Sequence, residues 1–331
     1  MMRLPLLLSL LALLVMALFV ASLLVGPAGL APGRALAALL RAEGTAETLV
    51  MREIRLPRAL LAAMIGASLG LAGAAMQGYL RNPLAEPGLL GVSGSAALGA
   101  VIALQTGLAA AFTLALPLAA LTGAVVAVGL ILALAGRQGG SITLILAGIA
   151  VSAMAGALTA LALNLSPNPF AAAEIVFWMM GSLADRSMTH VWLALPLMVL
   201  GWALLASLAR GLDALTLGED VAESMGHALP RLRLTLVAGT ACVVGAGTAV
   251  AGAIGFVGLV VPHILRPLVG ARPSHLLAAS AFGGAALLLA ADIAVRMILP
   301  ERDLKLGVLT ALVGAPLFFH LIYRTRREGL T

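Results

Sequence analysis

The chain has 331 residues, of which 62% are hydrophobic and only 10% are charged, and its mean hydropathy is +1.10. A soluble domain has about 25% charged residues, so this composition excludes a soluble globular protein. The net charge of +6 comes from arginines scattered at the ends of apolar segments. That distribution favours membrane topology over a nucleic-acid surface. The single cysteine, Cys242, excludes a disulfide within the chain.

Apolar runs of about 20 residues recur along the chain, and each is long enough to cross a hydrocarbon core of about 30 Å. Ten spans are predicted, near residues 4–25, 57–79, 89–104, 108–135, 142–164, 191–209, 232–250, 256–269, 275–299 and 306–323. Residues 170–180 are too short to span and are predicted to form a re-entrant or interfacial helix on the outer side. We therefore expect an all-α, polytopic membrane protein whose residues 1–331 form one transmembrane domain.

Ten spans place both termini on the same side of the bilayer. Arg210, Arg231 and Arg233, in and beside the polar loop at about 211–231, then share a side with the arginines of residues 324–327. The positive-inside rule makes that side cytoplasmic. Arg52, Arg55 and Arg58 contradict the rule, because they cluster at the outer end of the second span.

Two regions of the chain share a spacing that predicts an inverted internal repeat, the architecture of many transporters. In both regions a pair of arginines precedes Ala-Gly-Ala, and a proline follows nine residues after the last alanine: Arg55-Leu-Pro-Arg58, Ala72-Gly-Ala74 and Pro83 in the first, and Arg231-Leu-Arg233, Ala251-Gly-Ala253 and Pro262 in the second. The abundance of alanine and glycine leaves chance as the alternative explanation.

The sequence contains no nucleotide-binding motif. Lys305 is the only lysine and does not follow a glycine, so the Walker A pattern is absent. If ATP drives this chain, a separate subunit must hydrolyse it, and the chain itself is not expected to be an enzyme. The histidines show no ligand spacing, so neither a metal site nor a cofactor is expected.

The loop at about 211–231 is predicted to contain a short helix outside the membrane. Thr216 and Glu219 have the spacing of a capping box, and Gly226 is placed to end the helix. One apolar stripe is predicted on it, formed by Leu217, Val221 and Met225. The stripe either packs on the chain's own bundle or docks into the groove of a partner.

Charged residues also mark the outer ends of the spans. Arg55 and Arg58 lie three residues apart on one helical face, and Arg296 ends the ninth span on the same side. They either anchor helices at the lipid headgroups or contact a partner protein. Asp292, one turn before Arg296, is expected to pair with it rather than to relay protons.

Two stretches carry a family resemblance: Arg81-Asn-Pro-Leu-Ala-Glu-Pro-Gly-Leu-Leu-Gly-Val-Ser-Gly-Ser-Ala-Ala-Leu-Gly-Ala-Val101 and Gly255-Phe-Val-Gly-Leu-Val-Val-Pro-His263. They resemble the permease subunit of the ATP-driven importers for ferric siderophores, haem and cobalamin, and the resemblance runs from about Arg55 to about Arg327. It implies a homodimer in the inner (cytoplasmic) membrane, two cytoplasmic ABC ATPase subunits, and a periplasmic or surface substrate-binding protein. The implied activity is import by alternating access.

The resemblance also implies roles for individual residues. The ATPase-coupling segment would comprise Thr216, Leu217, Gly218, Glu219, Val221, Met225 and Gly226. The arginines that meet glutamates of the binding protein would be Arg55, Arg58 and Arg296. The inner gate would lie at Gly140, Ser141, Ile142 and Thr143. Its two hydroxyl positions match Ser141 and Ile142, and Asp303-Leu-Lys305 stands where the family has Glu-Leu-Pro, so both places depart from the pattern.

A proton- or sodium-coupled secondary transporter is the alternative function. It requires an unpaired acid in the middle of the membrane, and Asp292 is the best candidate for that acid.

Overall fold

The computed structural model describes residues 3–26, 29–40, 44–112, 114–136, 140–166, 169–298 and 304–328. The α-helices of these residues are, in chain order, α1 (Leu4–Leu24), α2 (Pro32–Leu40), α3 (Ala46–Leu49), α4 (Leu56–Leu80), α5 (Val92–Gln105), α6 (Ala115–Ala135), α7 (Ser141–Asn164), α8 (Pro169–Met179), α9 (Met188–Ser207), α10 (Ala209–Leu215), α11 (Glu219–Ser224), α12 (Leu229–Ala251), α13 (Val257–Leu265), α14 (Pro273–Ile298) and α15 (Leu306–Glu328). A π-helical segment, Val50–Arg55, joins α3 to α4, and 3-10 turns lie at Pro87–Leu90, Leu108–Ala110 and Arg266–Val269.

The apolar helices agree with the ten predicted spans. Within the described ranges, seven helical segments are long and apolar enough to cross a bilayer. Three shorter apolar segments start at the first residues of α5, α13 and α15. The prediction of an all-α, polytopic membrane protein is confirmed. The segment predicted as a short helix at 170–180 forms α8.

The second span begins earlier than its sequence predicts. Pro57 suggested a start at residue 57, whereas the helical segment begins at Ala46, where the Thr45 side chain accepts a hydrogen bond from the Thr48 N–H. In the π-helical segment the backbone N–H of Leu56 bonds to the carbonyl of Met51, five residues back. This wider turn carries the helix past Pro57, which has no N–H to donate.

The core of the bundle is formed by α4 and α12, whose membrane-spanning residues are mostly buried. α4 packs most extensively on α14, and small residues allow the two backbones to touch. Gly66 and Gly70 of α4 face Gly284 and Ser280 of α14, and a Cβ at Gly70 would collide with the Ser280 carbonyl oxygen. Shape at these positions fixes how the helices cross.

The helix contacts repeat in two halves. α4 is followed by a break at residues 81–91 and then by short α5, whereas α12 is followed by a break at 252–256 and then by short α13. α4 packs on α13 and α14, while α12 packs on α5 and α6. This exchange between the halves is the arrangement expected of the inverted repeat.

Contacts at the two ends of the bundle agree with the predicted alternation of the spans. At the outer end, Arg296 near the end of α14 reaches Ser22 near the end of α1. At the cytoplasmic end, an N–H of Arg233 near the start of α12 donates to the Gly136 carbonyl at the end of α6, at 2.7 Å. The side chains of residues 324–327 lie outside the described set.

Candidate functional site

The loop at about 211–231, called the coupling segment after its predicted role, contains α11 and most of α10. The capping box predicted for Thr216 and Glu219 is wrong, because the Thr216 hydroxyl donates to the Asp213 carbonyl, 2.6 Å away. Threonine hydroxyls often bond a carbonyl three or four residues earlier, and here that bond belongs to the end of α10. α11 starts after Gly218, whose φ of +111° is unfavourable for other residues.

The end of α11 lies where the sequence predicted it. Gly226 has a φ of +86°, and its N–H donates to the Glu223 carbonyl at 2.9 Å. The N–H of His227 donates to the Ala222 carbonyl at 3.0 Å. These two bonds form a Schellman motif, in which a left-handed glycine satisfies the last carbonyls of a helix.

The apolar stripe of the coupling segment faces away from the bundle. Leu217 is 65% exposed and Met225 is 57% exposed, and Val221 is also exposed, whereas Ala222 is buried against the protein. The interpretation that the stripe packs on its own bundle is therefore wrong. These three side chains form an apolar surface at the cytoplasmic end.

Ion pairs attach the coupling segment to α14 and α4. Arg272 Nε lies 2.8 Å from Asp213 Oδ2, and the Ser274 N–H donates to Asp213 Oδ1, which joins α10 to the start of α14. Arg81, just after α4, lies 3.3 Å from Glu219 of α11. Burial acts to raise the pKa of Asp213, but the bonds from Ser274 and Arg272 outweigh it and leave the pKa below its usual value.

Two of the outer arginines are bonded to the last carbonyls of α1. Arg55 Nη1 donates to the carbonyls of Leu23 and Leu24, each at 2.9 Å. Arg296 Nη1 donates to the carbonyls of Ser22 and Val25, at 2.9 and 2.8 Å. The last carbonyls of a helix have no partner within it, and a guanidinium group can satisfy several at once.

Arg52 does the same for α2, because its Nε and Nη2 donate to the Leu39 carbonyl at 3.0 and 2.8 Å. The breach of the positive-inside rule thus has a structural reason. Outer arginines satisfy helix ends that the sequence alone did not show to be neighbours.

Asp292 lies at the centre of the outer arginine cluster, which we define as Arg55, Arg58, Asp292 and Arg296. Its side chain is fully buried, Arg58 Nε lies 2.8 Å from Oδ1, and Arg296 Nη2 lies 2.9 Å from Oδ2. The predicted pairing of Asp292 with Arg296 is confirmed, and Arg58 is a second partner. Asp292 is therefore not the unpaired acid that a proton-coupled mechanism requires.

The structure brings the three predicted docking arginines together, yet leaves them little exposure. Arg55 as a residue is only 4% exposed, and the side chains of Arg296 and Arg58 are 8% and 17% exposed. Arg58 is thus the most accessible of the three.

The predicted gate lies at the start of α7. Gly140 is the N-cap residue and is exposed, and Ser141 and Thr143 are partly buried. Ile142 is exposed, so an apolar side chain is presented where the family pattern would place a hydroxyl.

Comparison with known families gives a full-length match. The model of the FecCD transport family matches residues 13–324, nearly the whole chain. The chain belongs to the FecCD transport family.

Relatives of known name support this assignment. The chain is 40% identical over 287 residues to YvrB of Bacillus subtilis (strain 168), described as an uncharacterized ABC transporter permease, with 85% of this chain and 81% of the relative covered. It is 38% identical to FecD of Escherichia coli (strain K12), a permease of Fe(3+) dicitrate transport, over 84% and 86% of the two chains. It is 39% identical to BtuC of Klebsiella pneumoniae, a vitamin B12 import permease, over 84% and 83%.

A solved structure shares the fold. An inward-facing conformation of a protein assigned as a metal-chelate type ABC transporter superposes with a TM-score of 0.86 at 32% identity, covering 97% of this chain and 99% of the other. This FecCD family member is therefore a multi-pass permease of an ABC importer in the cytoplasmic membrane. The comparisons give the secondary-transporter alternative no support.

Sequence reasoning missed two polar residues of this FecCD permease that hold α13 in place. Glu86 Oε1 accepts a hydrogen bond from the Phe256 N–H at 2.6 Å. A lone glutamate between two apolar segments was the available signal. Gln77 Nε2 donates to the Leu259 carbonyl at 3.3 Å and lies 3.5 Å from that of Gly258, which lacks its usual helical donor because residue 262 is proline.

The departure at Asp303-Leu-Lys305 is only partly visible, because Asp303 lies outside the described residues. Lys305 Nζ is 5.7 Å from the centre of the Phe177 ring on α8, a cation–π distance. The lysine therefore connects the start of α15 with the outer helix α8.

The described residues of the chain assemble no ligand set for a metal ion, since no three His, Cys, Asp or Glu side chains converge there. His190 has a structural contact, because its Nδ1 accepts the Ser187 N–H at 3.2 Å at the start of α9.

Proposed function

We propose that this chain is the membrane-spanning subunit of an importer that carries a bulky metal chelate or cobalamin into the cytoplasm. Residues 1–331 would act as one transmembrane domain and pair with a second copy, so that the pathway lies on the two-fold axis. The similarity to FecD, BtuC and the metal-chelate transporter supports the class of substrate. Because the chain has no Walker A motif, ATP would be hydrolysed by two copies of a separate ABC ATPase.

The observation that carries this proposal is the exposed apolar stripe of Leu217, Val221 and Met225. An exposed apolar surface on a short helix and the turns that flank it fits a groove on a partner protein. The two ion pairs of the segment, from Asp213 to Arg272 and from Glu219 to Arg81, link it to α14 and α4. If the ATPase displaced the stripe, the residues from Thr216 to Gly226 would move with it. The two ion pairs would then transmit this movement to α14 and α4.

ATP binding would drive alternating access only by favouring one of two arrangements of the bundle. The inner gate would lie at Gly140 to Thr143, with Ile142 as the exposed residue. This gate is testable, because Cys242 is the only native cysteine. In a Cys242→Ser background, Ile142→Cys is expected to react with a membrane-impermeant maleimide from the cytoplasmic side, at a rate that changes when the ATPase binds nucleotide.

A periplasmic or surface binding protein would deliver substrate at the outer arginine cluster. Arg58 is the best-placed contact because it is the most exposed of the three arginines. Arg55 and Arg296 are bonded to carbonyls at the end of α1. Rim charges mainly change the association rate and its salt dependence. Arg58→Glu is expected to slow association with the binding protein. Because the change also breaks the buried pair with Asp292, thermal unfolding in detergent has to show that the variant is folded. Arg34→Glu, at an exposed arginine of α2, is the matched control.

The decisive experiment reconstitutes permease, ATPase and binding protein in liposomes and measures uptake of ferric dicitrate, haem and cobalamin. Uptake is expected to require ATP and to survive a collapsed proton gradient; the reverse result would establish the secondary-transporter alternative. Leu217→Asp with Met225→Asp should abolish ATPase binding and uptake without loss of folding. Leu36→Asp, at an exposed leucine of α2, is the control that should leave ATPase binding intact.

A further inference from the structure

The two helix breaks lie against each other beside α4. α4 has 25 residues and is therefore ~37 Å long, with Leu69 and Gly73 in its C-terminal half. A Cβ at Gly73 would collide with the Gly258 carbonyl, and a Cβ at Gly258 would lie 2.8 Å from the Leu69 carbonyl oxygen and 2.7 Å from Pro87. α13 thus starts beside the C-terminal half of α4, with the break at 81–91 touching its first turn.

Glu86 joins one break to the other. Its carboxylate accepts the N–H of Phe256, the residue that precedes α13. The first N–H groups of a helix have no partner within it, and the helix dipole favours a negative charge there. A bond to a carboxylate is about twice as strong as one between neutral groups. Glu86 therefore supplies, from the first half of the chain, an acceptor for the unpaired N–H at the start of α13.

Phe256 also contacts α15. Its φ of +67° is rare for a bulky residue and persists only where neighbours hold it. Its side chain lies against α15 at Gly314, where an added Cβ would collide with the Phe256 Cβ and ring. The backbone of Phe256 is thus held by Glu86, and its ring is seated on α15.

We propose that Glu86 is a positioning residue: it locks the two helix breaks into a fixed hub and, through the seat of Phe256 on Gly314, sets the position of α15 for transport. The backbone contacts among Gly73, Gly258 and Pro87 support a fixed hub, since groups packed so closely cannot slide without collision. Gly314 lies on the face of α15 opposite the exposed Leu312 and Phe319, so the seat of Phe256 is on the side of α15 that faces the bundle. The role of Glu86 in transport depends on the proposed function. Its role in joining the two helix breaks does not.

The first test compares Glu86→Gln with Glu86→Ala in the complex with ATPase and binding protein. The amide oxygen of glutamine still accepts the Phe256 N–H, so Glu86→Gln is expected to keep uptake within about threefold of the native rate. Glu86→Ala should lower uptake at least tenfold while ATP hydrolysis continues. Hydrogen exchange should be faster across residues 252–260 in Glu86→Ala only. Equal behaviour of the two variants, in uptake and exchange, would overturn the proposal.

The second test asks whether Phe256 transmits the constraint. Gly314→Ala should impair uptake because its Cβ meets the Phe256 ring, and the double variant Phe256→Gly with Gly314→Ala should recover some of it. Gly129→Ala is the matched control, because a Cβ there meets no atom within 4 Å. A double variant no better than Gly314→Ala would contradict the seat.

If the native complex shows no ATP-driven uptake, the proposed function fails, whereas the exchange measurement still decides whether Glu86 locks the breaks.

Discussion

The two ends of the bundle use charged residues in opposite ways. At the outer end, Arg55, Arg58 and Arg296 surround the buried Asp292 and the last carbonyls of α1, so the charges are satisfied inside the protein. At the cytoplasmic end, the ion pair of Arg81 with Glu219 is about half exposed, and apolar residues face outward beside it. Charge at a span end therefore does not identify a docking surface; exposure does.

This contrast also separates the energetic roles of the two ends. Removing one partner of a buried ion pair is strongly destabilising, because the other charge stays buried without compensation. Exposed pairs contribute little, since water and salt screen them. The outer cluster is thus expected to control folding, and the coupling segment to control partner binding.

The largest effect is expected for Asp292→Asn. The change preserves size but removes the charge shared by Arg58 and Arg296, and the expected loss is about 3–5 kcal/mol of unfolding free energy. Thermal unfolding in detergent measures it. Glu47→Gln is the control, because Glu47 of α3 pairs with Arg34 of α2 at 3.8 Å and neither side chain is buried. Native-like stability of Asp292→Asn would mean that the ion pairs of the outer cluster do not stabilise the fold, and the contrast between the ends would disappear.

Arg55→Met is expected to lower the unfolding free energy by less, about 1–2 kcal/mol. The change removes two charge-assisted bonds to carbonyls, but methionine retains some of the side-chain packing. The end of α1 should loosen, so hydrogen exchange near residues 22–26 should increase. Arg34→Met, at an exposed arginine, should leave it unchanged. Faster exchange in both variants, or in neither, would show that Arg55 does not hold α1.

Much of this fold could be predicted from the sequence, because long apolar runs define spans almost independently of their neighbours. The end of α11 and the exposed apolar residues around it were also predictable, since Gly226 and the spacing of Leu217, Val221 and Met225 are local signals. The capping box at Thr216 failed locally, because its hydroxyl bonds the Asp213 carbonyl instead. Most other failures depended on contacts that the local sequence does not show. Pro57 gave no sign of the π-helical segment before it, and nothing local showed that Arg55 and Arg296 meet the end of α1 or that Glu86 meets Phe256.

Asp213 gives a prediction with a defined pH range. Its pKa is lowered in the folded protein, so its bonds stabilise the fold fully above the ordinary carboxyl pKa of about 3.9 and are lost as pH falls through the folded value. Native protein should therefore exceed Asp213→Asn in stability at pH 7, by about 1 kcal/mol, and the difference should shrink as the pH falls below about 3.9. A difference that does not shrink below that pH would assign the effect to packing instead of charge.

The smallest effect concerns the ion pair of Arg81 with Glu219, whose side chains are both about half exposed. A double-mutant cycle with Arg81→Ala and Glu219→Ala is expected to give a coupling energy of about 0.2–1 kcal/mol, falling with added salt. The same pair should matter more for transport than for folding, because it joins α11, the helix that we propose contacts the ATPase, to core helix α4. The charge-reversed pair, Arg81→Glu with Glu219→Arg, should therefore restore uptake that either single reversal impairs. If the single reversals transport normally, the link through Asp213 and Arg272 to α14 is sufficient, and coupling enters the core at one helix instead of two.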